Sequence, residues 1–199
     1  MSNSLLIATG NPGKIREIET ILSSLQVQLI SDLTLSQSLQ VAETGKTYAQ
    51  NARIKAEAYL KATGIPSLAD DSGLEVDALD GAPGIYSARF SPLKNATDAD
   101  RRAYLCDQLH AIPQPWTARF HCAAILALPN GEIIETAGQC EGVIIAEERG
   151  LGGFGYDRMF LLPEYGSTMA ELTEDVKNRI SHRAKALLAM MPYLSEYLG

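Results

Sequence analysis

The chain has 199 residues, 46% of them hydrophobic and 21% charged, the balance of an ordinary soluble globular protein. That excludes general disorder, supplies a core without disulfides or a structural metal, and fits a single domain over residues 1–199. With 17 Lys and Arg against 24 Asp and Glu the net charge is −7, so a broad grip on nucleic acid or an anionic membrane is not expected, while a small polyanion in a locally basic pocket is compatible.

Ser4 to Ala8 is a short apolar run that reads as a buried strand, closed by the turn residues Thr9-Gly10-Asn11-Pro12-Gly13. From Lys14 the period changes: Ile15, Ile18, Ile21, Leu22 and Leu25 share one helical face. Val27 to Ile30 reads as a second strand. Thr47 to Ala62 is helical in period and is stopped by Gly64 and Pro66. Pro66 to Ala69 forms a short strand ending at Asp70-Asp71-Ser72-Gly73. Asp98 to His110 is a helix with Thr97 as its N-cap. Phe120–Leu128 and Glu132–Ile145 are strands joined by the hairpin signal Pro129-Asn130-Gly131. Tyr156 to Pro163 is strand-like, Thr168 to Asn178 is partly helical, and a last helix runs from an N-cap at Ser181 to about Met191. Helices and strands alternate first and a hairpin follows, which points to a mixed-sheet α/β domain.

Four segments carry chemistry. Thr9-Gly10-Asn11-Pro12-Gly13-Lys14 joins a strand to a helix, where backbone N–H groups, the helix dipole and the lysine can meet an anion. It lacks the spacing of a P-loop, and an ordinary tight turn explains it equally well. Asp70-Asp71 are costly as core residues and natural as hard-oxygen ligands for Mg²⁺, although Asp-Ser-Gly also suits a turn; Ser72 has no nucleophile elbow around it. Gly150-Leu151-Gly152-Gly153-Phe154-Gly155 satisfies the dinucleotide pattern, but a strand-like segment follows where a helix is required, so the Rossmann reading fails. The loop suits a base pocket better, with Phe154 and Tyr156 as aromatic faces and Asp157 as acceptor for a ring N–H, or else carries core aromatics. Lys177, Arg179, His182, Arg183 and Lys185 place five potential cations within nine residues, some of which must be solvated. Together these are the parts of a nucleoside triphosphate site.

The segments Ile7–Lys14, Glu43-Thr44-Gly45 with Asn51-Ala52, Leu68–Leu74, Gly81–Arg89, Gly152–Asp157 and Ser181–Arg183 follow one another in the order seen in the inosine triphosphate pyrophosphatase (XTP/dITP pyrophosphatase) family, which this sequence resembles. The resemblance implies a mixed α/β fold, with a long curved sheet and helices forming two lobes around a cleft, and a homodimer. It also implies Mg²⁺-dependent hydrolysis of ITP, dITP and XTP to monophosphate and pyrophosphate, which cleanses the nucleotide pool. Carried over, it gives Asp71 the roles of proton acceptor and Mg²⁺ ligand. Thr9, Gly10, Asn11, Pro12, Gly13 and Lys14 bind the triphosphate, with Ser72 beside it. Phe154, Gly155, Tyr156, Asp157, Lys177, His182 and Arg183 form the rest of the substrate site, His182 and Arg183 as donors to a 6-keto purine. The family often has two acidic residues before Thr-Gly; here they are Ala42-Glu43, so the metal-ligand role of the first is missing or has passed to Glu43. Arg158 stands where many members have proline. Rival readings are a Maf-like pyrophosphatase acting on other nucleotides, a non-hydrolytic nucleotide-binding module and, more distantly, a nicotinamide oxidoreductase.

The three cysteines, Cys106, Cys122 and Cys140, have no C-x-x-C spacing and read as free thiols of a reducing compartment. The longest apolar run, Cys122 to Leu128, is far below the roughly 20 residues of a membrane span. No Lys or Arg precedes Lys14, and Gly10-Asn11-Pro12 breaks the first apolar stretch, so no signal peptide is read and a cytoplasmic protein is expected.

Overall fold

The computed structural model describes residues 3–31 and 39–198. Among the described residues, seven strands and five α-helices follow one another as β1 (Ser4–Ile7), α1 (Pro12–Ile21), β2 (Gln28–Ser31), α2 (Tyr48–Thr63), β3 (Ser67–Val76), α3 (Asp98–Leu109), β4 (Trp116–Ala127), β5 (Ile133–Ile144), β6 (Phe160–Leu162), β7 (Ser167–Thr168), α4 (Glu174–Ile180) and α5 (His182–Leu198). The strands form one sheet in the order β2-β1-β3-β4-β5-β6-β7. β1 pairs in parallel with β2 and β3, whereas β5–β6 and β6–β7 are antiparallel. The expected mixed α/β class is therefore correct. No helix among the described residues is long and apolar enough to cross a membrane.

The chain divides into two compact units, one of Met1–Asp71, Cys122–Gly138 and Ser181–Gly199, the other of Ser72–His121 and Gln139–Ile180. In the first, the period-two alternation of β1 sorts its side chains to two cores. Leu5 and Ile7 join Ile15 and Ile18 of α1, its C-cap Leu22, and Ala186, Leu187 and Met190 of α5. Leu6 and Ala8 join Ala52, Ala56 and Tyr59 of α2. Covered on both sides, β1 reads as a continuous apolar run, as buried parallel strands do. In the second unit, Trp116, Ala118 and Phe120 of β4 pack with Leu105 and Leu109 of α3 and with Phe160.

Several elements differ from the sequence expectation. α1 starts at Pro12 instead of Lys14, because proline at the first helical position sacrifices no hydrogen bond and Asn11 caps it. β3 does not stop at Ala69: it continues through Asp70 and Asp71 to Val76, with Leu74 and Val76 buried, so the two aspartates lie inside a strand. β4 begins four residues before the expected Phe120, at Trp116. The strand-like segment after the glycine loop is cut to Phe160–Leu162, since Tyr156–Met159 form turns. α5 runs on to Leu198 with Pro192 inside it. The absence of a helix after Gly155 bears out the rejection of the dinucleotide motif.

Candidate functional site

In the first unit a set of charged side chains converges on β3. Asp70 is fully buried, and its Oδ2 lies 3.0 Å from Lys14 Nζ and 3.1 Å from Arg183 Nε. Its main-chain carbonyl accepts from Lys55 Nζ at 2.7 Å. Arg183 also pairs with Glu17 of α1. Cys122 Sγ donates to Asp70 Oδ2 at 3.8 Å, and burial pushes its thiol up to about 12, so it is a neutral packing group. Burial alone would raise the Asp70 pKa, but the charges of Lys14, Arg183 and Lys55 hold it far below the usual carboxylate range.

Asp71 experiences the opposite balance. Burial raises its pKa and outweighs the attraction of Lys55 and Lys14 and the hydrogen bond from Asn51, with the negative charge of Glu43 adding to the rise. Asn51 is fully buried on α2; its Nδ2 donates to Asp71 Oδ2 at 3.0 Å while its Oδ1 accepts the Gly45 N–H at 2.8 Å. A backbone N–H can only donate, so the orientation of the amide is fixed. Lys55 Nζ lies 2.9 Å from Glu43 Oε1 and 4.0 Å from Asp71 Oδ1.

The turn before α1 spends its donors internally. Asn11 N–H donates to Thr9 Oγ1 at 3.3 Å, and the Gly13 and Lys14 N–H groups donate to Asn11 Oδ1 at 2.9 and 3.3 Å. Pro12 has no N–H to offer. Of the amides expected to face an anion, those of Asn11, Gly13 and Lys14 are thus held by side-chain acceptors in the same turn.

The second unit carries the glycine loop. Gly153 has φ +68°, and a Cβ there would lie 2.1 Å from Asp157 Oδ2, so the position requires glycine twice over. Asp157 is buried, its Oδ2 accepting from Phe154 N–H at 2.9 Å and from Lys177 Nζ at 2.7 Å. Lys177 Nζ also stands 5.1 Å from the Phe154 ring centroid, a cation–π contact.

The residues singled out in the sequence take the following places. Tyr156 is buried in the hydrophobic core and its hydroxyl donates to Ser87 O at 2.9 Å; it is a core aromatic, not a stacking face. Asp157 uses Oδ2 to fold its own loop and hold Lys177. The Arg183 guanidinium is engaged by Asp70 and Glu17, and His182 is buried. Arg179 and Lys185 are exposed, the solvated members of the cation run. Ser72 follows Asp71 in β3 and is half-buried. Arg158 lies 3.8 Å from Glu148. Cys122 and Cys140 are buried free thiols and Cys106 is half-buried. Lys55, Asn51 and Glu17 carry weight that the sequence reading did not give them. For the first two a signal existed: Asn51 and Lys55 share the helical face of Ala52, Ala56 and Tyr59, where a polar residue needs a buried partner.

The model of the Ham1 family matches residues 5–193. The chain belongs to the Ham1 family. It is 46% identical to the dITP/XTP pyrophosphatase of Geobacter sulfurreducens over 191 residues, 96% of each chain. It is 48% identical to that of Desulforamulus reducens over 192 residues, 96% of this chain and 95% of the relative. Among solved structures, a HAM1 protein from Coxiella burnetii is similar with a TM-score of 0.87 and 40% identity, covering 98% of this chain and all of that one. The nucleoside-triphosphatase / dITP/XTP pyrophosphatase of Mycobacterium abscessus is similar with a TM-score of 0.73 and 39% identity, covering 96% and 99%. The Ham1 match agrees with the resemblance read from the sequence.

Proposed function

We propose that this Ham1-family chain hydrolyses deaminated purine nucleoside triphosphates (ITP, dITP and XTP) to the monophosphate and pyrophosphate. The observation that carries this is the divergence of two neighbouring carboxylates. Asp70 is locked in its ionised form by cations, while Asp71 is poised to take a proton, and titratable neighbours pushed apart by their surroundings mark an acid–base assignment. The relatives' activity supplies the substrate class.

Asp71 is the general base that orients and deprotonates the water attacking the α-phosphorus, and the pyrophosphate leaves with its negative charge met by Lys14 and Lys55. Triphosphate oxygens take over the Gly13 and Lys14 N–H groups from Asn11 Oδ1, acceptor for acceptor, with Thr9 and Gly10 in the same turn and Ser72 beside Asp71. Asp71 and Glu43 already share one cation, the Lys55 ammonium, and two carboxylates are a donor set that fits Mg²⁺, which completes its shell with water and phosphate oxygens. When bound, Mg²⁺ supplies charge neutralisation on the phosphates.

Base selection falls to Phe154 and Lys177. An ammonium offers donors and no acceptor, so it pairs with a 6-keto oxygen and leaves the 6-amino group of adenine unmatched. We take the enzyme to act as a homodimer, as the resemblance implies, and to work in the cytoplasm, the reducing compartment that its three free cysteines suit. The test is incubation with ITP, dITP, XTP, GTP, ATP and dTTP, with and without Mg²⁺, and identification of the products. Mg²⁺-dependent pyrophosphate release from the first three, with little from the rest, is expected; release of orthophosphate, or no turnover, overturns the reading.

A further inference from the structure

In the second unit, both main-chain polar groups of Gly155, its N–H and its C=O, are caught by side chains one turn apart on α3. The Gly155 N–H donates to Asp98 Oδ2 at 2.8 Å, and the Gly155 carbonyl accepts from Arg102 Nη1 at 2.8 Å. Residues 98 and 102 stand four apart and so share a helix face. Arg102 is itself buried and braced from behind: its Nε and Nη2 donate to the two carboxylate oxygens of Glu148 at 2.8 and 3.0 Å. The end of α3 that presents Asp98 is fixed by a capping box in which Thr97 and Asp100 satisfy each other's backbone N–H groups.

We propose that Asp98, Arg102 and Glu148 form a clamp that pre-orders the Phe154–Gly155 peptide, making Arg102 a positioning residue for purine selection. This rests on the function proposed above. The loop needs such a device. Glycines at 150, 152, 153 and 155 leave it with large conformational freedom in solution, and a loop that must be ordered by its ligand loses affinity by the amount the ordering costs. Asp157 and Lys177 hold Phe154 from its C-terminal side. The α3 clamp acts at the next peptide, on groups that the Asp157 contacts leave untouched. With both in place the Phe154 ring keeps one orientation before a base arrives, which is how a rigid first contact discriminates. The clamp touches no reacting atom, so its effect belongs in substrate binding and base choice, not in the chemical step.

The experiment compares wild type with Arg102→Ala, Arg102→Lys and Asp98→Asn. It combines kinetics on ITP and ATP, melting temperature, and amide hydrogen exchange over residues 150–157. Arg102→Ala should raise KM for ITP about tenfold with kcat changed less than about twofold, lower the ITP-to-ATP ratio of kcat/KM, and speed exchange at Gly155. Arg102→Lys keeps a donor for the carbonyl and Asp98→Asn keeps an oxygen for the N–H, so both should recover most of the KM and the selectivity. If Arg102→Ala does not fold, Glu148→Gln, which loosens the brace and leaves the arginine in place, is read in its stead with the same signs at smaller size. The clamp is overturned if KM and selectivity stay at wild-type values while exchange quickens, or if kcat falls as much as kcat/KM. Absence of ITP turnover in wild type would overturn the function reading instead, and the exchange data would still report on the clamp.

Discussion

Asp70 and Asp71 are consecutive residues of β3, yet one is held firmly as an anion and the other is pushed toward its neutral form. Alternation in a strand explains the split, because successive side chains point to opposite faces. The Asp70 carboxylate meets Lys14 and Arg183, and the Asp71 carboxylate meets Asn51 and, farther off, Lys55. A motif of two acids therefore encodes one carboxylate held firmly as an anion and one carboxyl pushed toward its neutral form.

Their substitutions should separate accordingly. Asp71→Asn keeps the shape and removes the base, so turnover of ITP should fall by about 10²–10⁴-fold with nucleotide binding and melting temperature largely kept. Asp70→Asn leaves Lys14 and Arg183 short of their shared buried counterion and should cost on the order of 3–5 kcal/mol of stability. Denaturant unfolding and steady-state kinetics on both variants check this. An Asp71→Asn protein with near wild-type rates would remove that residue from the chemistry.

Much of this arrangement was legible in the sequence because it depends on local signals. The period of α1, the Thr97 cap and the Pro129-Asn130-Gly131 hairpin are set by neighbours in the chain, and each lies where the pattern put it. The continuation of β3 through two aspartates was not legible: a strand interior tolerates buried acids only when cations from other elements meet them, and Lys14, Lys55 and Arg183 come from three different helices. The role of Tyr156 was hidden for the same reason, since whether an aromatic stacks on a ligand or fills a core depends on what packs above it. Lys55 could have been found as a charged residue on an alanine-rich buried face, and Glu17 only from its partner 166 positions away.

The Asn11 cap gives a prediction that depends on nucleotide. In the free chain Asn11 Oδ1 satisfies two N–H groups at the start of α1, and removing such a cap costs about 1 kcal/mol. If triphosphate oxygens replace that acceptor, Asn11→Ala should melt lower than wild type without nucleotide, and the gap should narrow at saturating ITP with the chemistry blocked by Asp71→Asn. Thermal shifts of the four combinations measure it. A gap that widens with nucleotide would show that Asn11 contacts the ligand instead of yielding to it.

Gly138 of β5 has a packing role that its flat strand environment does not announce. A Cβ there would stand 2.2 Å from the His182 carbonyl oxygen and 2.5 Å from the Ala186 nitrogen, both main-chain atoms that cannot rotate aside. Gly138→Ala should therefore push away the first turn of α5, which carries Arg183 onto Asp70, at an overpacking cost of about 1–3 kcal/mol. Stability and ITP turnover should fall together. Unchanged unfolding would mean that α5 is free to shift at no cost.

Asp98 supplies the pH prediction. Partial burial raises its pKa, but the hydrogen bonds from Arg101 and from the Gly155 N–H, with the charges of Arg101 and Arg102, hold it below the ordinary value of 3.8. A group whose pKa is depressed on folding contributes stability that is complete above its unfolded pKa and is lost as pH falls through the folded one. Wild type should therefore lose stability relative to Asp98→Asn as pH drops below about 4, and the two curves should run parallel at higher pH. Because the Gly155 N–H is one of the groups that depress this pKa, the same acid limb should also lower the protection factor of the Gly155 amide, its exchange rate relative to the intrinsic rate at each pH, in wild type and leave it nearly flat in Asp98→Asn. A protection factor that is flat in both proteins would mean that the carboxylate charge does not hold that N–H.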